Sequence, residues 1–252
     1  MSILNAYEEG GIPIISPDKL YKKERKIADV AVACFTKKAL DYVLSTYRHE
    51  TYHEFMATGN GPLTIYYLPD FKALFFMSLI GSSMAGGLLQ EVAYISGATK
   101  FIYFGSCGVL DKSLRGHYIV PTESYREEGY SYHYAPPSEY MPIKNHTHVE
   151  SFLRSLGVPI AIGKNWTTDA FYNETIAKWE RMKGDGVLSV EMESSGLEAI
   201  ADHLGVEFYT FFFAGDILGE SWIPGDLGGE RERRRQVSAV EVALALGRSI
   251  AK

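Results

Sequence analysis

The stretch GVLSVEMESSGLEAIADHLGVEFYTFFFAGD, residues 186–216, holds two apolar runs with a helix-period segment between them. GVLSV (186–190) and VEFYTFFF (206–213) are too short for core helices and carry β-branched and aromatic residues, so both read as buried strands. Between them Leu197, Ile200, Ala201 and Leu204 fall at i, i+3, i+4 and i+7, one face of a helix, and Gly205 supplies a stop.

The same alternation extends along the chain. Strand-like runs occur at 28–35, 63–68, 73–79, 100–105, 117–122 and 160–164, and helical patterns at about 37–47, 83–96, 147–156, 173–183 and 234–250. This predicts an α/β fold: a single domain over 1–252, with a mixed, largely parallel sheet flanked by helices on both faces. In such sheets a ligand site forms at the carboxyl ends of the strands. The proline-rich YAPPSEYMP reads as a loop rather than a boundary.

With 252 residues, 46% of them hydrophobic, the chain can bury a substantial core. Its 25 basic and 31 acidic residues give a formal charge of -6, a field that repels a nucleic acid backbone. Cys34 and Cys107 both sit in apolar surroundings, as expected of buried thiols in a reducing compartment. No compact metal-ligand spacing occurs, and the opening MSILNAYEEGGIPIISPDKL has neither a basic nor an apolar targeting region. The expectation is a soluble, cytoplasmic protein with no metal, no nucleic acid partner and no membrane span.

Four junctions place small or polar residues where a strand ends. In FGSCGVL (104–110), Gly105 and Gly108 flank Ser106 and Cys107, an arrangement that suits either an oxyanion cradle or a tight structural turn. In LIGSSMAGG (79–87), Gly81, Ser82 and Ser83 lead into a helix, as an anion site or as ordinary N-capping. Glu191 and Glu193 follow the strand ending at Val190; they are either acceptors for the vicinal hydroxyls of a sugar or solvated charge at a helix start. In TFFFAGDILGE (210–220), Asp216 follows an apolar strand, either as a partly desolvated acid or as the start of a turn. Beside these lies SYREEGYSYHYAPPSEY (124–140), whose five tyrosines suit stacking on a heterocycle or covering a sheet edge.

Taken in order, GSCGVL, REEGYSYHYAPP, TTDAFY, SVEMESSGLEAIA and FFFAGDIL resemble the nucleoside phosphorylase family, which includes uridine phosphorylase, the hexameric purine nucleoside phosphorylases and methylthioadenosine nucleosidase. The resemblance implies phosphate-dependent cleavage of the N-glycosidic bond of a purine or pyrimidine ribonucleoside, giving free base and ribose 1-phosphate, with no cofactor and phosphate as co-substrate. Hydrolytic cleavage by water and non-catalytic nucleoside binding are the alternatives. It implies that Met192 and Glu193 contact ribose with Glu191 supporting, and that Ser106 and Gly81 belong to the phosphate site. Phe171 would stack on the base beside Gly108, and Asp216 would protonate a departing purine. A homodimer or homohexamer with sites near the dimer interface is also implied.

The chain departs from this family where phosphate is held. The first loop reads CFTKKAL in place of Gly-Asp-Pro and an arginine, and Tyr103 stands where an arginine precedes GSCG. Lys37 and Lys38 are the cations that first loop offers, either to phosphate or to solvent. The uracil-reading Gln and Arg that follow the aromatic residue in uridine phosphorylase are replaced by AFYNETIAKW.

Overall fold

A computed structural model describes residues 2–57, 61–226 and 229–251. Its strands are β1 (Val30–Cys34), β2 (Glu50–Ala57), β3 (Gly61–Leu68), β4 (Ala73–Met77), β5 (Lys100–Val109), β6 (Tyr118–Glu127), β7 (Tyr140–Pro142), β8 (Ile160–Thr168), β9 (Val187–Glu191) and β10 (Glu207–Ile217). The helices are α1 (Pro17–Leu20), α2 (Lys37–Thr46), α3 (Ser82–Ser96), α4 (His146–Ser155), α5 (Ile176–Gly184), α6 (Ser194–Leu204) and α7 (Glu230–Ile250).

All ten strands share one mixed sheet. Its centre is parallel, β4–β1–β5–β10, and β3 and β2 extend one side in antiparallel fashion. On the other side the sheet closes on itself: β10 pairs β6, β6 pairs β8, β8 pairs β9, and β9 returns to the far end of β5. The strand β5 therefore serves twice, with Lys100–Phe104 against β1 and Gly108–Val109 against β9.

Alternation along the central strands sorts side chains to two cores. Val30, Val32, Ile102, Phe104, Phe211 and Phe213 pack under α2, α4 and α7, while Ala31, Ala33, Phe101, Tyr103 and Phe208 pack under α3 and α6. Helices thus cover both faces, as expected. Both cysteines are buried thiols, and burial pushes Cys34 up to about 12, which leaves it inert. No helix among the described residues is long and apolar enough to cross a membrane.

Two strands fall outside the expected set. In β2, ETYHEFMA is largely polar and half of it is solvent-facing, so it lacks the apolar run of its neighbours. The strand β7 lies inside the proline-rich segment read as a loop and pairs with β6 through three residues.

The strand β10 also runs four residues past the apolar run, through a bulge. Ala214 pairs Cys107 but Asp216 pairs Gly108, so Gly215 is the extra residue. Phe212 and Ala214 share one apolar cluster with Cys107 and Val109; beyond the bulge Ile217 joins that cluster, and Asp216 turns to the opposite face. That inserted residue decides where the carboxylate points.

Candidate functional site

Two cavities open at the carboxyl ends of β1, β5, β9 and β10 and share three lining residues, Ser106, Glu191 and Met192. The first, about 240 Å³, is bounded mainly by Phe35, Ile80, Phe104, Phe212 and Phe213, with Thr36, Gln236 and Glu193 as polar lining. The second, about 600 Å³, is bounded by Gly108, Phe171, Tyr172, Glu174, Asp216 and Trp222, a size within the ordinary range of small-molecule sites.

Glu191 holds the junction rigid. Its Oε1 accepts from Asn165 Nδ2 (2.7 Å) and Thr167 Oγ1 (2.6 Å), and its Oε2 from the backbone amides of Glu193 (2.8 Å) and Ser194 (2.9 Å). Because the Thr167 proton goes to Glu191, Ser124 must donate to Thr167 across their 2.7 Å contact, and Asn165 Nδ2 donates to Ser124 in turn. All members are buried, so the network is complete within the protein. Glu191 was expected beside the ribose as a supporting group. Four donors of the protein occupy its acceptor positions and fix the turn from β9 into α6.

Glu193 follows as the N-cap of α6, and its Oε1 accepts from the Gly81 amide at 2.6 Å. Ser82 Oγ donates to the Met192 carbonyl at 3.0 Å, so the first residues of α3 grip the 192–193 backbone. The Gly81 amide, expected to serve phosphate, is therefore engaged by a carboxylate of the same chain. Burial, and then the charge of Glu191, push Glu193 up to about 8; Glu191 is itself raised by burial, against the pull of its four donors. The two carboxyl groups titrate as a pair, and in either form the free oxygen of Glu193 can accept from a hydroxyl.

Ser106 is exposed to both cavities, and its hydroxyl has no hydrogen-bond partner among the described residues. Gly108 is buried against the second cavity, where an added Cβ would stand 3.0 Å from Val190 Cγ1 and 3.5 Å from Asp216 Oδ1. Asp216 is half-buried and its Oδ2 accepts from Trp222 Nε1 at 2.7 Å. Phe171 stands at the mouth, half-exposed, its ring 4.2 Å from that of Tyr172.

Lys37 and Lys38 are not brought to the site. Neither lines a cavity, and Lys37 pairs with Asp41 one helical turn along α2, its side chain three-quarters exposed. Thr36 caps α2 by accepting from the Ala39 amide, which turns the helix start and its lysines outward. Among the described residues, no lysine or arginine lines the first cavity.

The tyrosine-rich segment lines neither cavity. Arg126 donates to Ser131 Oγ, Ser138 Oγ and the Pro136 carbonyl, folding the segment on itself. Glu128 then accepts from Ser195 Oγ at 2.8 Å, tying the segment to the first turn of α6. Tyr130 fills the gap between α3 and α6, where Gly86 and Gly196 admit its ring.

Sequence reasoning missed Glu174 and Trp222. Glu174 lies three residues after Phe171 and only the fold brings it to Asp216; Trp222 lies six residues after Asp216, in the loop that doubles back over it.

Similarity to known proteins bears on the same residues. A purine nucleoside phosphorylase DeoD-type from Alkaliphilus metalliredigens is 25% identical over 165 residues, covering 63% of this chain and 68% of its own length. Another from Caldanaerobacter subterraneus subsp. tengcongensis is 27% identical over 166 residues with the same coverage. A third from Colwellia psychrerythraea is 29% identical over 151 residues, covering 56% of this chain and 63% of its own length. Residues 29–251 match the Phosphorylase superfamily, a span from just before β1 to the end of α7 that takes in both cavities. With this match over most of its length, and with the closed mixed sheet and strand-end cavities described above, the chain belongs to the Phosphorylase superfamily.

Proposed function

We propose that the chain transfers the ribosyl group of a ribonucleoside from its base to phosphate. The family makes the chain an enzyme, a pentosyltransferase; the reading that it cleaves a purine or pyrimidine nucleoside with phosphate as acceptor is ours. The observation that carries it is the junction of the two cavities. Ser106, Met192 and the fixed turn at Glu191 lie between them, so a ligand that spans both has its middle there.

In this arrangement Glu193 faces the sugar hydroxyls from the first cavity, and Met192 packs beside the ring. The base occupies the second cavity against Phe171 and Gly108, and Asp216 donates a proton as the C–N bond breaks. Ser106 offers its free hydroxyl to the incoming oxyanion. As the bond loosens, positive charge develops on the sugar and negative charge on the base, and the proton from Asp216 answers the charge on the base. Lys37 and Lys38 have no part in this reading.

A hydrolytic reaction is the second reading, favoured by a first cavity whose lining, among the described residues, is apolar and carboxylic rather than cationic. Incubating a panel of purine and pyrimidine nucleosides with and without phosphate separates the two. Phosphate-dependent base release with ribose 1-phosphate as product supports the proposal; equal release without phosphate overturns it in favour of hydrolysis. The assembly we expect is a homodimer or homohexamer, measured by light scattering of the same preparation.

A further inference from the structure

Glu174 is a carboxyl without a structural explanation. It follows the short turn Phe171–Asn173, precedes α5 and lines the second cavity with Asp216. It has no hydrogen-bond or ion-pair partner among the described residues. The cation within reach, Lys178 on α5, is taken by Glu127 of β6 at 2.6 Å, and Glu127 also accepts from Trp166 Nε1 at 2.8 Å. The charged groups that face Glu174 are thus Asp216 from β10, Glu127 from β6 and Lys178 from α5. A half-buried carboxyl set among other carboxylates is costly unless something enters the cavity to use it.

The bases themselves supply such partners. An ionised carboxylate presents two acceptors, which match the N1–H and 2-amino groups of a 2-amino-6-oxopurine such as guanine, and the N1–H alone of other 6-oxopurines. A protonated carboxyl presents one donor and one acceptor, which match N1 and the 6-amino group of a 6-aminopurine. Uracil offers a single N–H between two carbonyls, so it pairs with the protonated form through N3–H and one carbonyl but leaves one oxygen of the ionised form without a donor.

We propose that Glu174 is a specificity-determining residue that reads the edge of the base left open by Asp216, selecting a 6-oxopurine when ionised and admitting a 6-aminopurine when protonated. This inference rests on the nucleoside-cleaving reading above. Burial, followed by the charges of Asp216 and Glu127, raises Glu174 to about 7, so both forms are populated near neutrality. The preference therefore shifts toward 6-oxopurines as pH rises.

The test compares guanosine and adenosine by kcat/KM, and by equilibrium binding, on both sides of pH 7 in the wild-type protein and in Glu174→Gln. The amide keeps the shape and holds one donor and one acceptor at every pH. In the wild-type protein the guanosine-to-adenosine ratio should rise at least about tenfold across the transition. In Glu174→Gln it should stay at the acid-limb value, with adenosine cleavage retained. A variant ratio that still titrates as in the wild type, or a variant that weakens both substrates equally, overturns the assignment. If the wild-type protein releases base from its nucleosides but shows no such pH shift, Glu174 fails while the functional reading stands. If it neither binds nor cleaves any nucleoside, the functional reading falls and takes this inference with it.

Discussion

The indole N–H of Trp222 donates to Asp216 Oδ2 across 2.7 Å, and the tryptophan is otherwise more than half exposed. A loop residue is thereby fastened to the proposed acid, directly over the cavity that would receive the base. Asp216→Asn should keep the fold and nucleoside binding but lower base release by about 10²–10⁴, the usual range for general acid catalysis. Single-turnover kinetics with a matched melting curve checks this; an unimpaired variant removes Asp216 from the chemistry.

Trp222→Phe separates fastening from chemistry, because phenylalanine keeps an aromatic ring without the donor. The expected outcome is a change of about tenfold or less in kcat/KM, within the worth of one hydrogen bond, and an unchanged melting temperature. In the wild-type protein, quenching of tryptophan fluorescence by added nucleoside should follow the same saturation curve as the rate.

Glu191 and Glu193 should respond in opposite ways to substitution. Glu191→Ala removes four accepted hydrogen bonds from a buried network and should lower stability by about 3–5 kcal/mol in urea denaturation. Glu193→Gln keeps an acceptor for the Gly81 amide and replaces a carboxyl whose charged form burial and Glu191 disfavour, so its stability should change by about 1 kcal/mol or less. Its effect should appear in the affinity for ribonucleosides.

Stability should fall as pH rises through the neutral range. Glu198 on α6 is buried with Oε2 lacking a hydrogen-bond partner, and burial followed by the charge of Asp202 raises it from 4.5 to about 8. The folded state then holds a proton that the unfolded chain has released, so the stability present below about pH 4.5 is progressively lost up to about pH 8. Glu193 adds to the same slope. Melting temperature measured against pH should decline over this window, and Glu198→Gln should flatten the decline.

Close approach of α3 and α6 supplies a further check. An added Cβ at Gly196 would stand 2.6 Å from Ser82 Cβ and 3.1 Å from Tyr130 Cδ1. Gly196→Ala should therefore cost about 1–3 kcal/mol as the two helices separate. Since α3 holds the Met192 carbonyl and the Glu193 carboxyl, the same variant should weaken ribonucleoside binding more than a surface substitution of equal thermodynamic cost.

The elements legible in the sequence were those with a strong apolar signature. GVLSV, VEFYTFFF and ADVAVACF announced β9, β10 and β1 because both their faces are covered, and the spacing of Leu197, Ile200 and Ala201 announced α6. The strand β2 was illegible because an edge strand with one wet face carries little apolar content. Around the site, the glutamates of VEMESSG and the aspartate after TFFFAG were visible by their position at strand ends. Their division of labour was not, since it depends on which donors the fold delivers. Asn165 and Thr167 come from β8, and Gly81 comes from the start of α3. Lys37 and Lys38 were expected at phosphate from the family resemblance of the first loop, and the Thr36 cap turns them away. Glu174 left no local signal, because its meaning lies in a neighbour 42 residues further on, at Asp216.

The closed side of the sheet also bears on how the protein comes into being. Pairing of β5 with β10 joins Gly108 to Asp216, and ring closure needs β6, β8 and β9 in place between them. Contacts this distant in the chain form slowly, after the local helices and hairpins. The proposed acid therefore reaches its place beside Gly108 only as this late, long-range closure forms.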